Sequence, residues 1–237
     1  MSEMAKRTSD ASVRMASVAP VGGAIKRLID IIVAAGGIGL LLPLLVFCAA
    51  GTFLASGGSI IARYRRVGFR GRAFDCLKFE TSASKSTRRL HRCLSADSAA
   101  RELSETEKRP DEPRVTRLGA VFRKAGLDEL PQIFNVLRGD MSIVGPQPIS
   151  DDEIDHYADE AAAYLACRPG ITGLWRVTGQ ARYSERVSCD CAYAKGWSLL
   201  LDARITISTL FAMLEPTSVR PGAIFFDRFF THKEEQK

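Results

Sequence analysis

The sequence lacks the cysteine spacing that identifies several common protein classes. None of its six cysteines form a Cys-x-x-Cys pair, which removes the usual zinc-binding pattern. The single Cys189-x-Cys191 pair does not by itself support metal or redox chemistry, so a reducing compartment is the simpler assumption. Internal repeats are also absent. Hydrophobic residues make up 46% of the chain, which is ordinary for a folded protein and excludes a transporter that crosses the membrane many times.

Charge is absent from one long stretch near the N-terminus. From Ile31 to Ala62, 32 positions carry no charged side chain. As one straight helix they would extend roughly 48 Å, against roughly 30 Å of bilayer hydrocarbon. Pro43 lies near the middle, where it removes an amide donor and clashes with the preceding turn. The sequence therefore predicts a membrane segment that bends or breaks at Pro43.

Both flanks of this segment are basic, with Lys26 and Arg27 before it and Arg63, Arg65 and Arg66 after it. The positive-inside rule gives no orientation for a single crossing when both ends carry positive charge. The rule is satisfied if the helix enters the membrane, turns at its proline and leaves on the same side. We therefore favour a re-entrant hairpin over a tilted span. A cleaved signal peptide is disfavoured, because the apolar stretch is too long and starts too late.

An excess of positive charge follows the apolar stretch. The net charge is +6 and the pI is near 9.1, which suits anionic partners such as lipid headgroups, nucleotides or sugar phosphates. Between Arg63 and Arg92 there are ten Lys or Arg residues against two acids, as in a polybasic segment beside a membrane. A solvated basic face without a specific ligand is the alternative. Nucleic-acid binding is not expected, because the cluster adjoins the apolar stretch and no recognition motif is present.

The pattern along the chain predicts a mostly helical α+β protein in four parts. These are a flexible N-terminal tail over 1–24, a Pro-kinked re-entrant membrane helix hairpin over 25–62, a small cytoplasmic domain over 63–215 and a C-terminal tail over 216–237. Within the domain, residues 67–79 favour a strand or hairpin. Residues 197–214 are amphipathic, which suits a helix on the bilayer surface or in the core.

Further helices are predicted inside the domain. Residues 118–125 have helical spacing and end at Gly126. A second helix starts after Asp128 and stops at Gly139, and residues 151–166 form an acidic, then alanine-rich, helix. Residues 81–113 are expected to form a loop and one short helix. The buried side of the second helix is expected to carry Ile133, Phe134 and Leu137.

The informative stretch is RLGAVFRKAGLDELPQIFNVLRGDMSIVGPQP, residues 117–148. It places adjacent Asp128 and Glu129 at a helix start, near Arg117, Arg123 and Lys124. One interpretation is structural, with Asp128 as an N-cap and Glu129 complementing the helix dipole. The other is catalytic, because phosphoryl transfer through an aspartyl phosphate needs a carboxylate nucleophile, a metal-binding carboxylate and nearby cations.

The chain resembles the bacterial sugar transferases, the monotopic polyprenyl-phosphate phosphoglycosyl transferases that start exopolysaccharide and glycan synthesis. The matching pieces, in chain order, are KRLIDI, the Pro-interrupted apolar run, RRVGFRG, CLKF, EPRVTRLG, LDELPQIFNVLRGDMSIVGP, RPGITGLW and WSLLLD. They cover about residues 25–214 in one collinear series, which is more specific than any single motif. Within the family, the chain most resembles the galactosyl-phosphate transferase of succinoglycan-type polysaccharide synthesis.

The resemblance implies a two-step reaction. Asp128 would attack the sugar-linked phosphate of a UDP-hexose of galactose or glucose type and release UMP. Undecaprenyl phosphate would then take the phosphosugar from the enzyme. Glu129 would hold Mg²⁺, which neutralises the diphosphate, and Lys78 and Asp202 match further active-site positions. Arg66, Arg114 and Arg168 are candidate phosphate contacts, with structural salt bridges as the alternative.

The same resemblance implies where the protein works. The site would lie at the headgroup level of the bacterial inner membrane and face the cytoplasm, where a nucleotide sugar can meet a lipid phosphate. Homo-oligomerisation is left open, since no residue pattern decides it.

Three positions depart from the family pattern, and each loses a positive charge. They are Glu80, Gln147 and Gln180, where the family has arginine. The resemblance implies that positions 147 and 180 lie at or near the bound substrate, where a glutamine offers only a weaker hydrogen bond than an arginine fork. Arg176 and Arg182 are candidates for supplying the missing charge. The alternative is a catalytically impaired paralogue that acts as a membrane-bound regulatory or interaction module.

Overall fold

The structure is a computed structural model that describes residues 19–82, 115–178 and 183–214. The expected N-terminal tail up to residue 18 and the expected C-terminal tail over 216–237 lie outside the described residues. So does nearly all of the loop and short helix expected over 81–113.

The apolar stretch forms one long helix, α1, over Gly23–Ser56. Its 34 residues correspond to roughly 51 Å at 1.5 Å per residue. It is the one helix among the described residues that is long and apolar enough to cross a membrane. Pro43 lies inside the helix, which continues through it. The predicted membrane segment is therefore present as a helix, and the hairpin turn at Pro43 stays a prediction.

A two-stranded sheet follows α1. Its strands are β1 over Ile61–Val67 and β2 over Ala73–Phe79, joined by a short 3-10 turn over Phe69–Gly71. The helix before it ends where Gly57 and Gly58 take φ of 78° and 123°, which side chains other than glycine rarely adopt. The strand predicted over 67–79 is confirmed in β2, while β1 begins earlier than the sequence indicated.

The segment around the acidic pair contains three short elements. They are α2 over Arg117–Ala125, a 3-10 turn over Leu127–Glu129 and α3 over Gln132–Arg138. The predicted stops are confirmed, since Gly126 and Gly139 have φ of 69° and 95°.

The predicted buried side of α3 is partly wrong. Phe134 is 41% exposed, whereas Val136 is fully buried beside buried Gln132 and Asn135. The helix starts only at Gln132, after Pro131. Asn135 Nδ2 donates to Asp75 O at 2.8 Å, and this hydrogen bond turns the face with Asn135 inward. A polar anchor therefore overrides the apolar periodicity here.

A second, parallel pair of strands is formed by β3 over Ser142–Val144 and β4 over Gly170–Thr172. Ser142 pairs with Gly170 and Val144 with Thr172. Between them, the helix predicted over 151–166 is broken into a 3-10 segment over Asp151–Glu160 and α4 over Ala161–Leu165. The break lies at Ala158, whose φ of 43° and ψ of −121° are not helical.

Three helices complete the described chain: α5 over Leu174–Thr178, α6 over Tyr183–Gly196 and α7 over Leu199–Leu214. Helix α7 confirms that the predicted segment is helical, although the helix begins two residues later. The delay has a local cause, because Ser198 Oγ accepts a hydrogen bond from Leu201 N at 3.1 Å and so caps the helix start. Apolar side chains occur on both the buried and the exposed face of this helix. Leu201 and Ile205 are buried, while the exposed ones are Leu199, Leu200, Ile207, Leu210 and Phe211.

The described residues divide into two compact units. The first contains 19–38, 65–76, 132–178 and 183–214, and the second contains 39–64, 77–82 and 115–131. The first unit is built on three apolar clusters, one of which packs Ala34 of α1 against Phe74, Val136 and Met141. The core of the second unit packs Leu45 and Cys48 of α1 against Phe79 and Phe122. Each half of α1 thus contributes to the core of one unit.

Candidate active site

The acidic pair lies in a turn that two local signals create. Thr116 caps α2, with its Oγ1 accepting a hydrogen bond from Gly119 N at 2.9 Å. Gly126 then ends α2 in the left-handed conformation, so the next residues fold into the 3-10 turn Leu127–Glu129. Asp128 is inside this turn and is not its N-cap, which is Gly126. The helix that Asp128 was expected to cap, α3, starts only at Gln132.

Lys78 joins this acidic pair within the second unit. It lies between buried Leu77 and Phe79 near the end of β2, so strand alternation turns it to the other face. Its Nζ lies 2.8 Å from Glu129 Oε1, and the two side chains are 30% and 20% exposed. The structure thus brings together three of the predicted catalytic residues, Lys78, Asp128 and Glu129.

Asp128 has an unusual protonation equilibrium. Burial raises its pKa above the usual range, and the adjacent charge of Glu129 raises it further, while Lys78 and Arg123 act in the opposite direction. A carboxylate with a raised pKa is poorly solvated and more basic, and both properties favour its use as an oxygen nucleophile. The electrostatics of the turn therefore suit the role predicted for Asp128.

Arg123 is held close to the same turn. Its Nε donates to Thr81 Oγ1 at 2.8 Å, and Thr81 O in turn accepts from Thr116 N at 2.9 Å. These contacts connect the end of β2 to α2 and hold a cation whose charge acts on Asp128. Glu80, one of the three departures from the family pattern, accepts a hydrogen bond from Ser82 N at 2.9 Å.

The donors available for a divalent cation are the Asp128 and Glu129 carboxylates. Among the described residues no cluster of three or more acidic, histidine or cysteine side chains forms a ready cation cage. Mg²⁺ commonly binds through one or two carboxylates together with substrate phosphates and water. The chemistry of these two carboxylates therefore fits a magnesium ion, and Glu129 is also paired with Lys78.

Asp202, predicted as catalytic, lies in a dense cluster of the first unit. Its Oδ2 is 2.5 Å from Lys26 Nζ and accepts from Trp197 Nε1 at 3.0 Å, while Oδ1 accepts from the Tyr193 hydroxyl at 2.7 Å. The Lys26 ammonium also lies 5.8 Å from the centre of the Tyr193 ring. This cluster ties the start of α1 to the start of α7. The geometry favours a structural role for Asp202, and its catalytic role stays a prediction.

Two of the predicted phosphate-binding arginines make structural contacts. Arg66 lies 3.2 Å from Glu153 Oε2, and the same oxygen accepts from Ser150 N and Oγ in a capping box. Arg168 donates from Nε to Gly139 O at 3.0 Å, just past the end of α3. Arg27 donates to two carbonyls of the same helix end. The salt-bridge alternative is thus realised for Arg66, and Arg168 caps a helix end.

Gln147 is held by helix α6. Its backbone N donates to the two oxygens of Asp190 at 3.3 and 3.4 Å, and its Oε1 accepts from Arg186 NH1 at 3.4 Å. Asp190 is 1% exposed and also accepts from the Tyr157 hydroxyl at 2.7 Å. Burial raises the pKa of Asp190 to about 7, although these hydrogen bonds and Arg186 act to lower it.

A family model described as "Bacterial sugar transferase" matches residues 21–216. The chain belongs to this family.

Three named relatives show which proteins this chain is similar to. The chain is 42% identical over 197 residues to "Exopolysaccharide production protein ExoY" of Sinorhizobium fredii, covering 82% of this chain and 87% of that protein. It is 44% identical over 156 residues to "Undecaprenyl-phosphate galactose phosphotransferase" of Salmonella typhimurium, covering 65% and 33%. It is 35% identical over 199 residues to "UDP-glucose:undecaprenyl-phosphate glucose-1-phosphate transferase" of Caulobacter vibrioides, covering 80% and 69%.

Three residues of this sugar transferase contact predicted site residues in the structure, although the sequence did not single them out for that role: Lys26, Arg186 and Asp190. Lys26 is expected from the sequence only as a basic flank, and nothing in the motifs singles out Arg186 or Asp190. The spacing of Arg186 and Asp190, four residues apart, was the available signal, because it places both on one face of a helix. Of the cations considered for Gln147, Arg176 stacks on Trp175 at 5.0 Å, and Arg182 lies outside the described residues. Arg114 and Gln180 also lie outside them.

Proposed function

We propose that this protein transfers hexose 1-phosphate from a UDP-hexose to undecaprenyl phosphate and so initiates exopolysaccharide synthesis. The observation that carries the proposal is the half-buried Asp128 beside Glu129, with the Lys78 ammonium on Glu129 at 2.8 Å. The names of the Salmonella and Caulobacter relatives describe transfer of this kind to the same lipid phosphate. Those names include both galactose and glucose, so the proposal is for a hexose of either type.

The proposed chemistry has two displacements at one phosphorus atom. An Asp128 carboxylate oxygen attacks the phosphorus that carries the sugar, the bond to the bridging oxygen breaks, and UMP leaves with that electron pair. The enzyme then carries hexose 1-phosphate as an acyl phosphate. An oxygen of undecaprenyl phosphate attacks the same phosphorus, and the Asp128 carboxylate leaves unchanged. No net proton or electron is needed.

The residues in and around the turn have separate roles in this reaction. Lys78 and Arg123 place positive charge near the attacking carboxylate, where negative charge accumulates from the diphosphate. Glu129 would hold Mg²⁺ through its carboxylate. That ion, when bound, supplies charge neutralisation of the diphosphate.

The packing of α1 supports the re-entrant arrangement of the membrane anchor. Its N-terminal half is buried at Lys26, Asp30 and Ala34, and its C-terminal half is buried at every third or fourth residue from Leu45 to Ser56. Each half of α1 therefore packs one of its faces against protein of its own unit.

The charges on the packing partners of the C-terminal half make it costly to immerse that half deep in the hydrocarbon. Gly51 of α1 lies so close to α2 that an added Cβ would be 3.0 Å from Leu118 Cδ2. Helix α2 also carries Arg117, Arg123 and Lys124. Charged side chains inside a bilayer are expensive. A helix that enters and leaves on the cytoplasmic face of the inner membrane keeps α2 out of the hydrocarbon.

The deciding experiment is a UMP-release assay on the purified protein in detergent. Wild-type protein with UDP-galactose or UDP-glucose, Mg²⁺ and undecaprenyl phosphate is expected to release UMP. Asp128→Asn is expected to lose this activity, while Asp151→Asn, which alters an exposed acid at a different turn, keeps it. Mass spectrometry of the wild-type protein without lipid acceptor is expected to detect hexose phosphate on the peptide that contains Asp128.

Two outcomes would count against the proposal. If folded wild-type protein releases no UMP with either nucleotide sugar, the transferase reaction is wrong and the impaired-paralogue alternative takes its place. If Asp128→Asn retains activity, the aspartyl intermediate is wrong even though the overall reaction stands. Mg²⁺ dependence is tested in the same assay by adding a chelator and then restoring the ion.

A further inference from the structure

Thr81 makes a side-chain contact beside the acidic turn, and the proposed reaction gives it no role. It lies two residues after the end of β2 and is 3% exposed. Its Oγ1 accepts a hydrogen bond from Arg123 Nε of α2 at 2.8 Å, across 42 positions of the chain. Arg123 itself is exposed. A buried hydroxyl therefore holds one side of a guanidinium group that a ligand can reach.

Thr81 is a fixed anchor, because its backbone is held at the start of α2. Its carbonyl oxygen accepts from Thr116 N at 2.9 Å and from Thr116 Oγ1 at 3.3 Å. The next residue, Ser82, forms an antiparallel bridge with Val115. An added Cβ at Gly119 would lie 2.3 Å from Thr81 O and 2.8 Å from Thr81 Cβ, so α2 approaches this residue as closely as a glycine allows. The backbone thus places the Thr81 hydroxyl before any ligand arrives.

The contact through Nε leaves the far end of the guanidinium group for another partner. Nε donates from one side of this planar group, while NH1 and NH2 at the opposite end can donate two roughly parallel N–H bonds. A phosphate accepts such a pair of bonds from an arginine. Because the group is planar, a hydrogen bond from Nε to Thr81 restricts the plane in which the other two bonds lie.

Arg123 also lies next to the acidic turn. Gly126, from which the turn Leu127–Glu129 starts, donates from its backbone N to Arg123 O at 3.2 Å. The charge of Arg123 acts on Asp128 inside that turn. A phosphate that Asp128 attacks must approach the same turn to within contact distance. Arg123 is thus placed where the oxygens of that phosphate would arrive.

The two cations near the turn are held in different ways. Lys78 is paired with the Glu129 carboxylate at 2.8 Å, which offsets its charge. Arg123 is held by the Thr81 hydroxyl, which is neutral and so orients the guanidinium group without offsetting its charge. The Thr81 contact therefore sets the direction of a cation and leaves its attraction for an anion intact.

We propose that Thr81 is a positioning residue whose hydroxyl aims the Arg123 guanidinium group at the sugar-linked phosphate that Asp128 attacks. This inference rests on the proposed function, because it assigns a residue to that reaction. An exposed arginine loses side-chain freedom when it binds a ligand, and a hydrogen bond formed beforehand reduces that loss. The same phosphorus takes part in both displacements, so Arg123 acts on it in each of them.

Removing the hydroxyl tests this role directly. Thr81→Val keeps the shape of the side chain and is expected to lower kcat/KM roughly tenfold for both UDP-hexose and undecaprenyl phosphate, the size of one weakened contact to a charged group. Thr81→Ser keeps the hydroxyl and is expected to stay within about threefold of wild type. A fall for undecaprenyl phosphate alone would overturn the assignment to the sugar-linked phosphate.

A matched control removes a different buried hydroxyl. Thr209 of α7 is 8% exposed, and its Oγ1 is hydrogen-bonded to Thr172 Oγ1 at 2.7 Å. Thr209→Val therefore loses a side-chain hydrogen bond of similar length without touching Arg123. It is expected to keep the wild-type kcat/KM for both substrates. An equal fall in Thr209→Val and Thr81→Val would show a general effect on the fold and would contradict the positioning role.

A double-mutant cycle separates positioning from support of the local packing. In the Arg123→Met background the guanidinium group is absent, so Thr81→Val is expected to change kcat/KM by less than about twofold. If Thr81 only packs the end of β2 against α2, Thr81→Val lowers kcat/KM by the same factor with and without Arg123. That result, or an unchanged kcat/KM in Thr81→Val alone, refutes the proposal.

Binding measured without turnover keeps this proposal separate from the reaction itself. In the Asp128→Asn background with Mg²⁺, the affinities for UDP and for UMP are compared with and without Thr81→Val. UDP contains the phosphate equivalent to the sugar-linked one, and UMP lacks it. A loss of roughly 3- to 10-fold for UDP alone supports the positioning role, even if wild-type protein releases no UMP. Unchanged affinities, an equal loss for UMP or no measurable UDP binding sinks the positioning role, and the transferase reaction is still judged by its own assay.

Discussion

The ion pair between Lys26 and Asp202 allows a quantitative prediction about stability. Both side chains are largely shielded, at 9% and 15% exposed, and their charged atoms are 2.5 Å apart. Lys26→Met keeps the aliphatic stem of the side chain and removes its charge. Asp202 is then left as a largely buried carboxylate without a counter-ion, although the Trp197 and Tyr193 donors remain.

The expected loss follows from the remaining partners. Removing one member of a buried ion pair commonly costs about 3–5 kcal/mol, because the other charge stays buried and uncompensated. The two surviving hydrogen bonds stabilise the carboxylate, so we expect Lys26→Met to lower the free energy of unfolding by about 2–4 kcal/mol. The double variant Lys26→Met/Asp202→Asn is expected to lose about 1–3 kcal/mol less than the sum of the single variants, because the pair is coupled.

The measurement is urea unfolding in detergent micelles, followed by tryptophan fluorescence. Lys195→Met is the matched control, since its ion pair with Glu160 is at 3.2 Å with side chains 66% and 46% exposed. Exposed pairs contribute about 0–1 kcal/mol, so this variant is expected to stay near wild type. If Lys26→Met is no less stable than Lys195→Met, the tie between the starts of α1 and α7 does not stabilise the fold, and the reasoning is refuted.

Three further predictions concern other parts of the molecule. Because the pKa of Asp190 is raised to about 7, the folded state holds its proton more tightly than the unfolded chain, so this group reduces stability as pH rises from about 4 to 7. Asp190→Asn should therefore gain stability relative to wild type between pH 5 and pH 8, and parallel pH profiles of the two proteins would contradict this. Gly145→Ala should cost about 1–3 kcal/mol in unfolding experiments, because its Cβ would lie 2.3 Å from Arg168 O, whereas Gly36→Ala, with no atom within 4 Å, should cost nothing or stabilise the helix. Single cysteines placed at the exposed positions Ala19 and Ser59 test the membrane arrangement. Both should react with a membrane-impermeant thiol reagent in inverted vesicles, and neither should react in right-side-out vesicles. If the two cysteines react on opposite sides of the membrane, the helix crosses it.

The local elements could be anticipated wherever one short-range signal dominated. The long helix followed from the absence of charge between Ile31 and Ala62, and the ends of α2 and α3 followed from Gly126 and Gly139. Prediction failed where a distant partner decided the outcome. Phe134 is exposed because Asn135 is anchored to Asp75, 60 positions away, and no periodicity records that contact.

The candidate site shows the same division. Asp128 and Glu129 are adjacent in the sequence, so their shared turn and their mutual effect on pKa could be expected from the chain alone. Their pairing with Lys78, across 51 positions, required the fold. For Arg66 the sequence left a phosphate contact and a structural salt bridge open, and the fold supplies the salt bridge to Glu153.

By itself the sequence determined the apolar helix, the acidic turn and the family to which the chain belongs, since each depends on residue types at short, fixed spacing. Only the tertiary structure decided which partner each cation meets: Asp202 for Lys26, Glu129 for Lys78 and Gln147 for Arg186. The physical reason is that a side-chain pairing depends on how loops of tens to hundreds of residues close. The chain carries many lysines, arginines and acids that are equivalent in sequence until burial and backbone geometry select among them.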